Sequence, residues 1–142
     1  MILSKLFMRL FNKKEKLESI GVYHIYMINP LSKYARYKYI GYTYITKTLH
    51  MKYNYSMYEL VYSGKVYPDK TYGANNVNVI LDNIFYELNM HRPKDYTSPS
   101  LSIGDVISIS ANNGKMIGDY LVDSEGFVKL EDFWKWLEGA LC

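Results

Sequence analysis

Cysteine is almost missing from this chain: its 142 residues hold one, Cys142, so no intrachain disulfide can staple the fold. A reducing, cytoplasmic setting is therefore expected. Long apolar runs are missing too. Nothing approaches the roughly 18 consecutive apolar residues of a membrane-spanning helix. Internal repeats, linkers and low-complexity tracts are also lacking. The length is that of one ordinary domain, large enough to bury a core. An ordinary apolar content and a moderate charged fraction place the chain among folded rather than disordered proteins.

Reactive constellations are equally scarce. His24, His50 and His91 lie far apart, and none has a second ligand at i+2, i+3 or i+4. Ligand spacing is what marks a metal site, so no metal and no cofactor is expected. Asp95, Asp105, Asp119 and Asp123 stand beside Gly, Tyr or Ser. They are read as turn and loop residues rather than as carboxylates converging for acid/base work or a divalent cation. Ser98, Ser100 and Ser102 have no evident histidine partner. With no activating constellation, the chain is read as a non-enzyme.

What the sequence does hold is unevenly distributed. Residues 1–67 carry 11 Lys/Arg against 3 Asp/Glu, whereas residues 68–142 carry 6 against 11. Thirteen of the 16 tyrosines lie between Tyr23 and Tyr72. A basic, tyrosine-rich half joined to an acidic half predicts either a polarised surface that steers an anionic partner or two halves that neutralise each other across the fold.

Periodicity supplies the elements. Met1–Lys16 places Leu3, Leu6, Phe7, Leu10 and Phe11 on one helical face, with Lys5, Arg9, Lys13, Lys14 and Lys16 on the other. It has no small-residue cleavage site and is not read as a signal peptide. Such a helix packs on the domain, contacts a partner, or lies weakly on an anionic membrane surface. Strands are predicted at Gly21–Ile28, Tyr37–Thr48 (with Gly41 as a bulge), Met57–Tyr62, Ile103–Ser110, Met116–Asp123 and Phe127–Leu130. Asn112-Asn113-Gly114 reads as a hairpin turn. Val77, Ile80, Leu81, Ile84, Phe85 and Leu88 share one stripe of a helix that Asn89 and Pro93 stop. A closing helix is predicted over Glu131–Ala140, with Phe133, Trp136, Leu137 and Ala140 facing inward. The expected fold is α+β: a basic amphipathic helix over 1–20, then a single domain over 21–142. In it an antiparallel sheet packs on a central helix at about 77–90, with N- and C-terminal helices.

The order MYELVYSG (57–64), LDNIFYELNMHRPKDYTSPSLSIGDVISI (81–109), YLVDSEGF (120–127) and a closing Phe133 resembles the YodL-like domain. The resemblance covers about residues 57–133, and residues 1–52 lie outside it. It implies a small, non-catalytic accessory module of firmicute mobile elements and prophages, and it brings no catalytic residues. Its recurring positions have plain structural roles. Arg92-Pro93 ends a helix, Gly104-Asp105 shapes a strand entry, and Asp123 and Gly126 make a turn before Phe127 enters the core.

The binding candidates are Tyr34, Arg36, Tyr37, Lys38, Tyr39, Tyr42, Tyr44 and Lys47, placed by the strand reading along one sheet. Two partners suit rings and cations in a row. Tyr and Arg anchor protein interfaces, which points to a host or defence-system protein whose working surface would be occluded. Rings that stack bases beside cations that meet phosphates point to single-stranded DNA or RNA.

Overall fold

In a computed structural model, residues 17–73 and 75–134 are described. Both predicted terminal helices fall wholly or mostly outside them. Residues 1–16 and 135–142 are not described, and 131–134, the described start of the closing helix, are bend and turn.

Five strands form one antiparallel sheet: β1 (Gly21–Met27), β2 (Glu59–Val66), β3 (Val106–Ala111), β4 (Met116–Val122) and β5 (Phe127–Leu130), in the order β2-β1-β3-β4-β5. One helix, α1 (Val77–Met90), lies between β2 and β3 in the chain. Five of the six predicted strands are present, with shifted boundaries. β2 runs through Ser63-Gly64 instead of stopping there, and β3 begins at Val106 because Ile103–Asp105 make the turn into it.

The stripe on α1 packs on one face of the sheet. Ile80, Leu81, Ile84 and Leu88 are buried against Tyr23, Ile25 and Met27 of β1, Ile107 and Ile109 of β3, and Tyr120 and Val122 of β4. Register follows from the pleat, whose period of two sends alternate side chains to one face. Tyr23 pairs with Ile109 and Ile25 with Ile107, and these inward pairs close the first core. Asn76 caps α1, its side chain accepting from Val79 N. After the helix Asn89 clamps Leu101, accepting from its N–H at 2.7 Å and donating to its carbonyl at 3.1 Å.

The opposite face carries a second core. Tyr26 and Ile28, Val106, Leu121 and Leu130 are covered there by Ile45, Tyr53, Met57, Tyr58 and Phe133. Most of that cover is the excursion between β1 and β2, residues 29–58, which forms a lobe on the sheet.

Here the strand predicted at Tyr37–Thr48 is overturned. Ala35–Tyr37 is a 3-10 turn, and residues 42–48 are helical, widening to a π turn at Tyr44–Thr48. Gly41 is no bulge, because its carbonyl accepts from Ile45 N at the start of that helical turn. The alternation of tyrosines suggested period two, yet the residues that meet the core recur at three: Tyr34 with Tyr37, and Tyr42 with Ile45. That spacing suits helical turns.

Candidate functional site

The lobe contains no carboxylate. Between Glu18 and Glu59 the chain has no Asp or Glu, while Lys33, Arg36, Lys38, Lys47 and Lys52 fall within it. Concentrating one sign of charge on one structural unit raises the local potential and attracts anionic surfaces.

The eight predicted binding residues all sit in this lobe, but they do not form a row. Tyr34, Tyr37 and Tyr42 are half-buried and pack on the second core, and the Tyr42 ring lies parallel to that of buried Tyr53 at 6.1 Å between centroids. Lys38 is committed as well, its Nζ donating to the Ile28 carbonyl at 2.8 Å. Tyr39 (65% exposed), Tyr44 (51%), Arg36 and Lys47 face solvent. Leu31, 93% exposed, projects from the turn that opens the lobe, where its N–H donates to Asn29 Oδ1 at 2.8 Å. Arg36 lies over the Tyr37 ring at 5.5 Å and Lys38 over Tyr39 at 5.3 Å. The outer surface is thus rings and aliphatic tips with cations beside them.

Backbone irregularity gathers in the same place. Tyr39 has φ 65° and His50 φ 54°, left-handed values that cost a non-glycine residue roughly 1–2 kcal/mol. The π turn falls between these two residues, and such turns recur at functional sites. Strained backbone persists where the surroundings over-determine it, and it clusters at binding and catalytic sites.

Those surroundings are the motif residues themselves. The phenol of buried Tyr58 donates to the Gly104 carbonyl at 2.7 Å. Gly104 has φ 97°, which suits glycine, and it lies against the strained segment, where a Cβ would make ordinary contact with Tyr39 N at 3.4 Å. Tyr42 N donates to Asp123 Oδ1 at 3.2 Å. Asp123 N in turn donates to the Gly126 carbonyl at 3.0 Å, closing the turn that delivers Phe127 onto Phe85. Asp105 is 5% exposed, and its carboxylate accepts from Ser102 N at 2.8 Å. Burial lifts its carboxyl from 3.8 to about 6, against the opposing pull of the Ser102 N–H and of Lys38. Gly104, Asp105 and Asp123 are therefore the seat of residues 38–42. Arg92 and Pro93 serve elsewhere: Arg92 donates to Ser100 Oγ, and the Pro93 carbonyl accepts from Tyr96 N, shaping the loop after α1.

One polar arrangement escaped the sequence reading. Ser63, His24, Ser108 and Asp119 stand opposite one another across β2, β1, β3 and β4. His24 Nδ1 and Ser63 Oγ are 2.6 Å apart, and Ser108 Oγ donates to Asp119 Oδ1 at 2.5 Å. Nucleophile activation needs a base that a third group orients. Among the described residues no third group holds the His24 imidazole. Alternation along β1 signals which face His24 takes, but the cross-strand register exists only in the assembled sheet. Among the described residues, no group of three or more His, Cys, Asp or Glu gathers as a metal would require.

Fold and site together define a small α+β sheet domain with a basic, carboxylate-free lobe held in strain by a glycine-aspartate seat. The YodL-like domain family model matches residues 22–133, and the chain belongs to that family. The match begins well before residue 57, where the resemblance read from the sequence began, so the tyrosine-rich lobe lies inside the family domain. No curated protein and no solved structure matches the chain. Among the described residues no helix is long and apolar enough to cross a membrane.

Proposed function

We propose that this YodL-like domain is a non-catalytic, cytoplasmic accessory factor of a phage or other mobile element. It binds a host or defence-system protein and occludes that protein's working surface. The lobe is the contact. The observation that carries this reading is Tyr39: a non-glycine residue kept at positive φ, its ring two-thirds exposed, on a seat built from Gly104, Asp105 and Asp123. A chain that bears such strain to present a ring to solvent has a use for that ring. Exposed Tyr and Arg side chains are anchor types at protein interfaces, and the carboxylate-free surroundings favour an acidic rim on the partner.

Single-stranded nucleic acid is the weaker reading. Three of the five predicted tyrosines have their faces against the core, so no run of open rings is left for successive bases to stack on.

Tagged protein immobilised in a firmicute lysate, with and without nuclease, separates the two. The expected result is one dominant protein that survives nuclease and disappears with the Tyr39→Ala/Tyr44→Ala variant. Recovery of nuclease-sensitive material alone, lost steeply as salt rises, would replace protein binding by nucleic-acid binding.

A further inference from the structure

Lys38 stands between two oxygens. Its Nζ donates to the Ile28 carbonyl at 2.8 Å, which ties the middle of the lobe to the end of β1. The same ammonium acts through space on the carboxylate of Asp105, at the entry to β3. Asp105 is the one buried acid among the described residues. Its main chain is fixed in place, the N–H donating to the Ser102 carbonyl at 3.1 Å and the carbonyl accepting from Val122 N at 2.8 Å. Its side chain has one firm partner, Ser102 N, which donates to Oδ2 at 2.8 Å.

Titratable side chains face this carboxyl from two directions, Lys38 and Tyr58 from the lobe and Tyr96 from the loop after α1. Burial raises both phenols, so both stay neutral. Among the described residues, Lys38 is thus the one cation that acts on Asp105. A buried carboxylate without a close cation is costly. Burial accordingly lifts this carboxyl to about 6, while the Ser102 N–H and Lys38 pull the other way. The lysine stem is long and rotatable, so its ammonium can change partners without moving the sheet. The backbone next to it is that of Tyr39, at φ 65° and beside Gly104. A strained residue there gives up strain when the segment moves.

We infer that Lys38 is a proton-controlled latch on the lobe. With Asp105 neutral, the ammonium holds the Ile28 carbonyl. With Asp105 ionised, the ammonium swings toward the carboxylate, leaves the Ile28 carbonyl to water, and shifts Tyr39 with it. The proton goes from Asp105 to solvent, and no other bond is made or broken covalently. A local change of charge is thereby read out by a segment with two settings. The inference goes beyond the partner reading: it concerns how the lobe surface is set, whether a protein or a nucleic acid meets it.

The amide spectrum of the 15N-labelled whole protein, followed from pH 4.5 to pH 8, tests the latch. Residues 38–42 and 102–105 are expected to shift together with one midpoint near 6. Asp105→Asn should abolish the shifts in both stretches. Lys38→Met should abolish them at 39–42, while 102–105 still titrate with a raised midpoint because the attracting charge is gone. His50→Asn removes the lobe's own histidine at a left-handed position that Asn accepts, and it should leave the shared midpoint in place. Residues 39–42 that stay still across the range overturn the inference, as do shifts there that survive Asp105→Asn or Lys38→Met. Loss of the shared midpoint in His50→Asn overturns it too.

Discussion

Tyr58 and Gly104 are joined by a hydrogen bond of 2.7 Å, phenol to carbonyl, across the buried boundary between the lobe and the entrance to β3. Burial raises the Tyr58 phenol far above its ordinary range, with smaller contributions from Tyr53 and Asp105, so it stays a donor at any working pH. Tyr58→Phe keeps the ring among its neighbours and leaves the Gly104 carbonyl unpaired. The expected loss is about 1–3 kcal/mol, the cost of an unsatisfied buried acceptor. Urea denaturation checks it, and an unchanged midpoint would mean that water replaces the phenol.

Asp105 makes stability depend on pH with an unusual sign for a carboxylate. Its folded value of about 6 lies above the ordinary 3.8, so the folded chain holds this proton more tightly than the unfolded chain. The neutral acid's stabilisation is complete below pH 3.8, fades as pH rises through 3.8 to about 6, and is gone above that. Ionisation at neutral pH costs ~3 kcal/mol. Asp105→Asn keeps an acceptor for Ser102 N and removes the charge. The difference in Tm between the variant and the natural chain should therefore grow in the variant's favour from pH 4 to pH 7. A constant difference would refute the assignment.

Gly64 lies under the ring of Tyr23. A Cβ there would meet Tyr23 ring atoms at 2.5 Å, and that ring is buried in the first core beside α1. Gly64→Ala forces the ring from its place, with an expected cost of about 1–3 kcal/mol for overpacking. Gly126→Ala makes a useful contrast, since nothing stands within 4 Å of the added Cβ and only the positive φ of 74° is penalised. Its loss should be about 1–2 kcal/mol, without disturbance of the core signals in an NMR spectrum.

Tyr39→Gly should separate stability from binding. Glycine accepts φ 65° freely, and the ring it removes is mostly in solvent. We expect Tm to hold or rise, by up to about 1 kcal/mol of stability, while partner capture in the lysate experiment falls. A stable variant that still captures the partner would show that the strain serves the fold alone.

Much of this architecture was legible in the residues. The stripe from Val77 to Leu88 has one face and one period, so helix α1 and its buried side follow from geometry at the level of single turns. The Asn112-Asn113-Gly114 turn was legible for the same local reason, since positive φ values of 55°, 54° and 83° suit Asn and Gly. Gly104, Asp105, Asp123 and Gly126 could be picked out as turn formers, because turn chemistry is local as well.

The lobe could not be read this way. Tyrosine serves equally well in a strand, a helical turn or a core, so the alternation that predicted a strand over Tyr37–Thr48 was misleading, and the segment folds as turns packed on the core of Ile28, Val106 and Phe133. The sequence by itself determined composition, the carboxylate-free stretch from 19 to 58, the central helix and the turn residues, all properties of short range. Tertiary structure alone decided which tyrosines face solvent, that Asp123 holds Tyr42 from 81 residues away, and that, among the described residues, β5 pairs with β4 alone. Those depend on strand order and register, which are fixed by pairing between distant segments.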